Sequence, residues 1–241
     1  MNAPAGFEKC LTFINSQLHP PGKPGSPSPG GIQKCAVTIT RQSGCGAHVV
    51  ASKLAQHLQG HTPKDAPPWT VFDRNLVERV LQDHQLPERL AKFMPEDRIS
   101  QIDDIMDQLF GLHPPTEILV QQTSETILRL AELGNVILLG RGAAIITANL
   151  PHVLRVRLVA PMEKRIENMR EFEGLSPKAA KERIHREDRG RKRYFKKYFG
   201  KNDDDSLLYH LVINTGLFSL DDAVRLIGDA VMHRSAARPA S

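Results

Sequence analysis

Nowhere does the chain carry an apolar run approaching the ~20 residues that a membrane-crossing helix needs, which excludes a transmembrane protein. A secretory leader is not expected either, because no basic segment followed by an apolar one stands at the N-terminus. Cysteine is scarce. Cys10, Cys35 and Cys45 are an odd number without metal-type spacing, so free thiols in a reducing cytoplasm are expected, with neither a disulfide framework nor a metal site. No internal repeat is present.

What is there fits a globular protein. The 241 residues, 40% hydrophobic and 24% charged, suit one large domain or two small ones with ample length for a core. The net charge of +5 is unevenly spread. Residues 181–201 hold ten Lys/Arg against three acids (Glu182, Glu187 and Asp188), which leaves the remainder slightly acidic. Such a concentration suits an anionic partner, nucleotide phosphates or a nucleic-acid backbone, or else it is a solvated helix face.

Residues 1–33 read as a mobile extension: a short amphipathic helix over 7–18, ended by Pro20-Pro21-Gly22, then linker composition over 22–31. The folded body is expected over 34–235, with a short tail at 236–241. It opens on a β-branched run, Cys35-Ala36-Val37-Thr38-Ile39-Thr40, suited to a buried parallel strand. A glycine turn follows, then a helix in which Val49, Val50, Leu54 and Leu58 recur at helical spacing. A second strand over 69–72 leads into Asp73 and an amphipathic helix through Leu81. Residues 86–112 read as polar helix punctuated by Pro87 and Pro95. Pro114-Pro115 starts a long helix with Leu119, Thr123, Thr126, Leu130 and Leu133 on one face, closed by Gly134.

The next buried strand spans 136–139 and ends in Gly140-Arg141-Gly142. Leu154, Val156 and Leu158 alternate with Arg155 and Arg157, which predicts a strand with one polar side, near a sheet edge. Pro161 opens a helix that ends at Gly174. Ser176-Pro177 supplies the N-cap and first position of the helix carrying the basic cluster. A final strand is expected over 209–213, and Ser219 caps a last helix with Leu220, Val224 and Ile227 inside. Strands alternating with helices imply an α/β fold, a parallel sheet flanked by helices on both faces. Ligands of such sheets bind beyond the C-terminal strand ends, here the turn after Thr40, Asp73, and Arg141.

The stretch Arg41-Gln42-Ser43-Gly44-Cys45-Gly46-Ala47-His48 sits where a phosphate-binding loop belongs. Glycines let N–H groups turn inward, and the helix start adds the positive end of its dipole. The G-x-x-x-x-G-K-[ST] pattern is not met. With Gly46 as the second glycine, Arg41 takes the place of the first, Ala47 that of the lysine, and His48 that of the magnesium-binding hydroxyl. By spacing alone, a plain strand-to-helix turn explains the same glycines.

A set of stretches in order carries a family likeness: Val37-Thr38-Ile39-Thr40-Arg41 with Ser43-Gly44-Cys45-Gly46; Phe72-Asp73-Arg74; 136–143 with its Gly140-Arg141-Gly142; 155–161 with Glu163-Lys164-Arg165; Glu173-Gly174-Leu175-Ser176; Asp188-Arg189 onward to Tyr194; and Tyr209-His210-Leu211-Val212-Ile213-Asn214-Thr215. On these residues the chain resembles the cytidylate kinase-like family, a branch of the P-loop nucleoside monophosphate kinases, from Lys34 to about Ile227. The resemblance implies a P-loop NTPase, nucleoside monophosphate kinase-like fold with helical acceptor-binding and lid regions. It also implies an activity that moves the ATP γ-phosphate, with Mg²⁺, to a nucleoside monophosphate such as CMP.

The same resemblance implies donor contacts from Arg41, Gln42, Ser43, Gly44, Cys45, Gly46, Ala47 and His48, with Arg165 a lid-hinge arginine near the donor base. Asp73, Arg74 and Arg141 would meet the acceptor, Arg141 holding its phosphate. Arg141, Asp188, Arg189 and Arg193 would serve catalysis. Arg189 and Arg193 are i,i+4 and share a face, and arginines closing over the site neutralise the transferring group. Asp188 would orient an arginine or a magnesium-bound water. Plainer readings stand beside these: Arg141 as a surface residue at a strand end, Arg165 as a solvated helix position, Asp188 as a salt-bridge partner, Asp73 as an N-cap, and His48 as an ordinary helix residue. Tyr194, Phe195, Tyr198 and Phe199 are read as packing the lid helix onto the body rather than stacking on bases.

The absent lysine bears on catalysis and not on fold. Either Arg41 and the lid arginines neutralise the phosphates, or activity is low or lost; Gln42 and Ser43 also replace the Glu-Tyr common in the family. A kinase using ATP and Mg²⁺ is the leading expectation. A catalytically silent nucleotide-binding module is the alternative, motivated by Ala47 and His48. A nucleic-acid binder comes last, since a lid already accounts for the basic cluster. The expected partners are nucleotides, with no membrane, in the cytoplasm.

Overall fold

The computed structural model describes residues 35–63, 66–73, 96–110 and 118–236. The expected extension at 1–33, the helix after Asp73 with Arg74, the start of the polar helical stretch, and residues 237–241 lie outside the described residues.

Five parallel strands form one sheet in the order β2-β3-β1-β4-β5. They are β1 (Ala36–Arg41), β2 (Thr70–Phe72), β3 (Val136–Leu139), β4 (Val153–Val159) and β5 (Leu211–Asn214). The helices are α1 (Ala47–Gly60), α2 (Glu96–Phe110), α3 (Ile118–Leu133), α4 (Ala143–Ile146), α5 (Met162–Glu173), α6 (Pro177–Phe199) and α7 (Leu220–Ala236). Ala36 stands opposite Val136 on one side and Val153 on the other, so β1 is central. Successive side chains feed two cores. Val136 and Leu138 meet Phe72, Ile127 and Leu130 beneath α2 and α3. Ile137, Leu139, Val37 and Ile39 meet Val50 and Leu54 of α1 and Val224 and Ile227 of α7. Burial on both faces is what makes these strands read as continuous apolar runs.

Helix ends follow the capping chemistry. Gly174 closes α5 at φ 68°, and the Ser176 hydroxyl accepts the Ala179 N–H at 3.3 Å to start α6. From there α6 runs 23 residues, its first position taken by Pro177. The Ser219 hydroxyl accepts the Asp222 N–H at 3.1 Å at the head of α7. No helix of the described residues is long and apolar enough to cross a membrane.

Two strand starts and the surroundings of one arginine differ from the sequence expectation. The strand rich in arginine, β4, stands beside the edge strand β5, near the sheet edge as expected. Arg157 does not face solvent. It is 3% exposed and paired with Asp203 at 3.5 Å and with Asp204. Carboxylates brought in after α6 compensate the buried guanidinium, so the alternation marked an internal ion pair. Tyr209 does not open β5, because its hydroxyl turns back to donate to the Asp203 carbonyl at 2.9 Å. Trp69 likewise falls outside β2: its N–H donates to the Gln59 side chain at 2.8 Å and its Nε1–H to Thr62 at 3.1 Å.

The β4–β5 join carries a pH dependence. The Arg155 N–H donates to His210 Nδ1 at 2.9 Å, which requires a neutral acceptor nitrogen. Burial, with the charges of Arg155 and Arg234, pushes the His210 pKa down to about 4. Between that value and the ordinary ~6.5 the unfolded chain binds the extra proton, so stability falls as pH drops through this window. His210 is partly exposed, which mutes the effect. The wild type is expected to lose about 2 °C more in Tm than His210→Asn between pH 7 and 5, read by thermal melts. Equal losses would remove His210 from this role.

Candidate active site

The C-terminal ends of β1, β2 and β3 open into a cleft of about 780 Å³ covered by α6. Its floor is the loop between β1 and α1. Gly44 and Gly46 adopt φ 85° and 78°, a region that suits glycine. At Gly44 space also forbids a side chain, since a Cβ would lie 2.6 Å from the Arg165 carbonyl oxygen. The Gln42 N–H donates to the Leu158 carbonyl at 3.0 Å, and its side-chain oxygen accepts the Ala160 N–H at 3.1 Å, tying the loop to β4. Asn168 of α5 donates to the Gly44 carbonyl at 2.8 Å, and Thr215 to the Cys45 carbonyl at 3.0 Å. Cys45 is fully buried, and burial pushes its thiol up to about 11, so it is a packed, unreactive residue.

Ser43 is where the loop meets α5 and α6. Its N–H donates to Asp188 at 2.9 Å, its carbonyl accepts Arg165 Nε at 2.8 Å, and its hydroxyl accepts Arg191 Nη2 at 3.1 Å. Asp188 also accepts from Arg191 at 2.8 Å and pairs with Arg165. Burial alone would raise the Asp188 pKa, but the Ser43 N–H and the two arginines outweigh it and the net shift is downward. Arg165 itself is buried, so it scaffolds the loop here and does not present an open face to a base.

The inward face of α6 is set by its apolar residues. Ala180, Ile184 and Phe195 are buried, and Arg191 lies on the same stripe. Arg183, Glu187 and Tyr194 flank it along the cleft. Arg189 and Arg193 fall half a turn away. Both are exposed, and Arg189 Nε donates to the His185 carbonyl at 3.1 Å. The expected pair therefore does not line the cleft in this conformation; Arg191, between them in sequence, does. The apolar stripe was the signal that could have identified it. Phe195 is buried and Phe199 packs on the core, its ring against Gly142, consistent with a helix seated on the body.

Asp73, Arg141 and His48 all line the cleft, and Ala47 is buried at the start of α1. Arg141 has φ 55°, uncommon for a residue with a side chain, between glycines 140 and 142. Desolvation and the charge of Arg41 lower the His48 pKa, favouring a neutral ring. Among the described residues no group of three or more His, Cys, Asp or Glu could hold a metal ion. The cleft thus combines a glycine loop, a helix N-terminus and the guanidinium groups of Arg41, Arg141, Arg183 and Arg191, a cationic lining whose chemistry suits an anion.

Comparison with known proteins agrees. The sequence profile described as cytidylate kinase-like family matches residues 36–217. A cytidylate kinase of Pyrococcus horikoshii is 32% identical over 201 residues, 83% of this chain and 90% of the relative. One of Methanopyrus kandleri is 27% identical over 170 residues, 67% of this chain and 86% of the relative. A crystal structure of an uncharacterised Eubacterium ventriosum protein shares the fold, with a TM-score of 0.64 at 21% identity, covering 83% of this chain and 99% of that one. With a family match over most of its length and a relative 32% identical over 83% of it, the chain belongs to the cytidylate kinase-like family.

Proposed function

We propose that the protein transfers the γ-phosphoryl group of ATP to a nucleoside monophosphate, with CMP the first acceptor to test. The observation that carries this reading is the single cleft that joins the phosphate loop, Asp73 and Arg141 under the basic helix α6. Donor phosphates rest at the start of α1, because the N–H groups of Gln42, Ser43 and Cys45 are already donated to Leu158, Asp188 and Gln42. Arg141 holds the acceptor's phosphate, and Arg191, oriented by Asp188, covers the transferring group. Mg²⁺ keeps most of its ligands as water and nucleotide phosphate, so one carboxylate at the sheet end suffices, and Asp73 fits that need. When bound, the ion neutralises phosphate charge; everything else falls to the residues above.

ADP formation from ATP and Mg²⁺, with CMP, dCMP, UMP, AMP and GMP offered separately, tests this. Acceptor-dependent release supports the kinase and names its substrate. Arg141→Ala is then expected to raise the acceptor KM about tenfold or lower turnover, and no change in either would remove Arg141 from that role. Ala47 and His48 favour a second reading, a nucleotide-binding module without catalysis. ATP binding by calorimetry with no release on any acceptor would select it.

A further inference from the structure

Arg41 ends β1 and lines the cleft floor. No hydrogen bond or ion pair joins its guanidinium to any described residue. Arg165, by contrast, has Asp188, and Arg183 has Glu173 and Glu187. The group lies over Gly140, where a Cβ would fall 2.1 Å from Nη1, and Gly140 itself has φ 87°. A side chain at position 140 would displace the guanidinium. Burial and the neighbouring charge of Arg191 lower the Arg41 pKa to about 10, while Glu187 and Asp73 act on it only through space. Two cations held together over the phosphate loop, one with no ion-pair partner among the described residues, form a receptor for an anion.

We propose that Arg41 supplies the cationic contact to the donor's β- and γ-phosphates that Ala47 cannot. The assignment rests on the kinase reading above and gives it a residue. In the common arrangement a lysine on the first turn of the helix reaches these phosphates from behind the loop. Arg41 approaches from the preceding strand and bridges the loop to Gly140-Arg141, on the acceptor side. Its planar fork presents two parallel N–H donors to phosphate oxygens in a fixed geometry, where a lysine acts as a point charge.

The test uses the full chain as wild type, R41M, R41Q and R41K. Inorganic tripolyphosphate binding is measured by calorimetry, and acceptor-dependent ADP formation in parallel. Both neutral variants are expected to melt within a few degrees of wild type, to bind tripolyphosphate about tenfold or more weakly, and to turn over about a hundredfold more slowly. The acceptor KM should move less than about threefold. R41K, keeping the charge without the fork, should recover part of the tripolyphosphate affinity.

A folded neutral variant with wild-type tripolyphosphate affinity overturns the assignment, as does a wild type that binds no tripolyphosphate. R41Q retains polar atoms toward its neighbours and decides the question if R41M does not fold. A wild type that makes no ADP with any acceptor overturns the kinase reading alone, because the tripolyphosphate comparison still decides what Arg41 does.

Discussion

Replacing Arg191 by methionine is expected to lower kcat about a thousandfold, while Arg189→Met and Arg193→Met stay within about twofold of wild type. All three are arginines within one turn or so of the same basic helix, and charge alone does not separate them. Geometry does. Arg191 lies on the stripe of Ala180, Ile184 and Phe195, half-buried, with Nη1 on Asp188 at 2.8 Å and Nη2 on the Ser43 hydroxyl at 3.1 Å. A guanidinium held this way needs little reorganisation to meet a phosphoryl group, which is where electrostatic catalysis gains most. Arg189 and Arg193 point to solvent, where screening leaves a charge little influence at a distance. Steady-state ADP formation at saturating ATP checks the series. Equal losses at all three positions would mean that α6 turns its other face inward during the reaction.

Asp188→Ala should cost about 2 kcal/mol of stability, near 6 °C in Tm, and weaken nucleotide binding as well. One carboxylate serves Arg165 of α5, Arg191 of its own helix and the Ser43 N–H of the loop, so its removal leaves a buried guanidinium without its counter-ion and a loop donor without an acceptor. The 21% exposure of its side chain keeps the cost below that of a fully buried pair. Asp188→Asn retains an acceptor but not the charge and should fall between the two. The folded-state pKa is lowered, so the stabilisation is complete above the unfolded value and disappears as pH falls through the lowered one. Melting curves across the acid range read this directly. An alanine variant with wild-type Tm and wild-type ATP affinity would show that Asp188 holds nothing in place.

Much of this was legible in the residues. The strand at 136–139 is read to the residue, and the capping serines 176 and 219 mark their helices, because these signals are local and each has one physical meaning. The positions of Arg157 and Arg191 were not legible from the same kind of evidence. Alternation on β4 shows that one side is polar, but whether water or Asp203 and Asp204 meets that side depends on a segment about 50 residues away. Spacing shows that Arg189 and Arg193 share a face, but not which face turns inward. That is decided by where Ala180, Ile184 and Phe195 bury themselves, a matter of packing. Arg165 is expected as a hinge arginine near the donor base, or more plainly as a solvated helix position, and only the contact with the Ser43 carbonyl reveals it as part of the loop's frame.

The central place of β1 also governs the order in which the molecule can be made. Its partners arrive with residues 136–139 and 153–159, and the loop that follows it is shaped by Arg165 and Asp188, separated from Ser43 by 122 and 145 positions. During synthesis the first strand therefore waits for more than half of the polypeptide before it can pair, and contacts this distant in sequence slow the search for the native state. The cleft is consequently a late product of folding. A nascent chain halted before α6 would contain every residue of the loop, and Arg165 as well, and still lack the Asp188 carboxylate and the Arg191 guanidinium that hold Ser43.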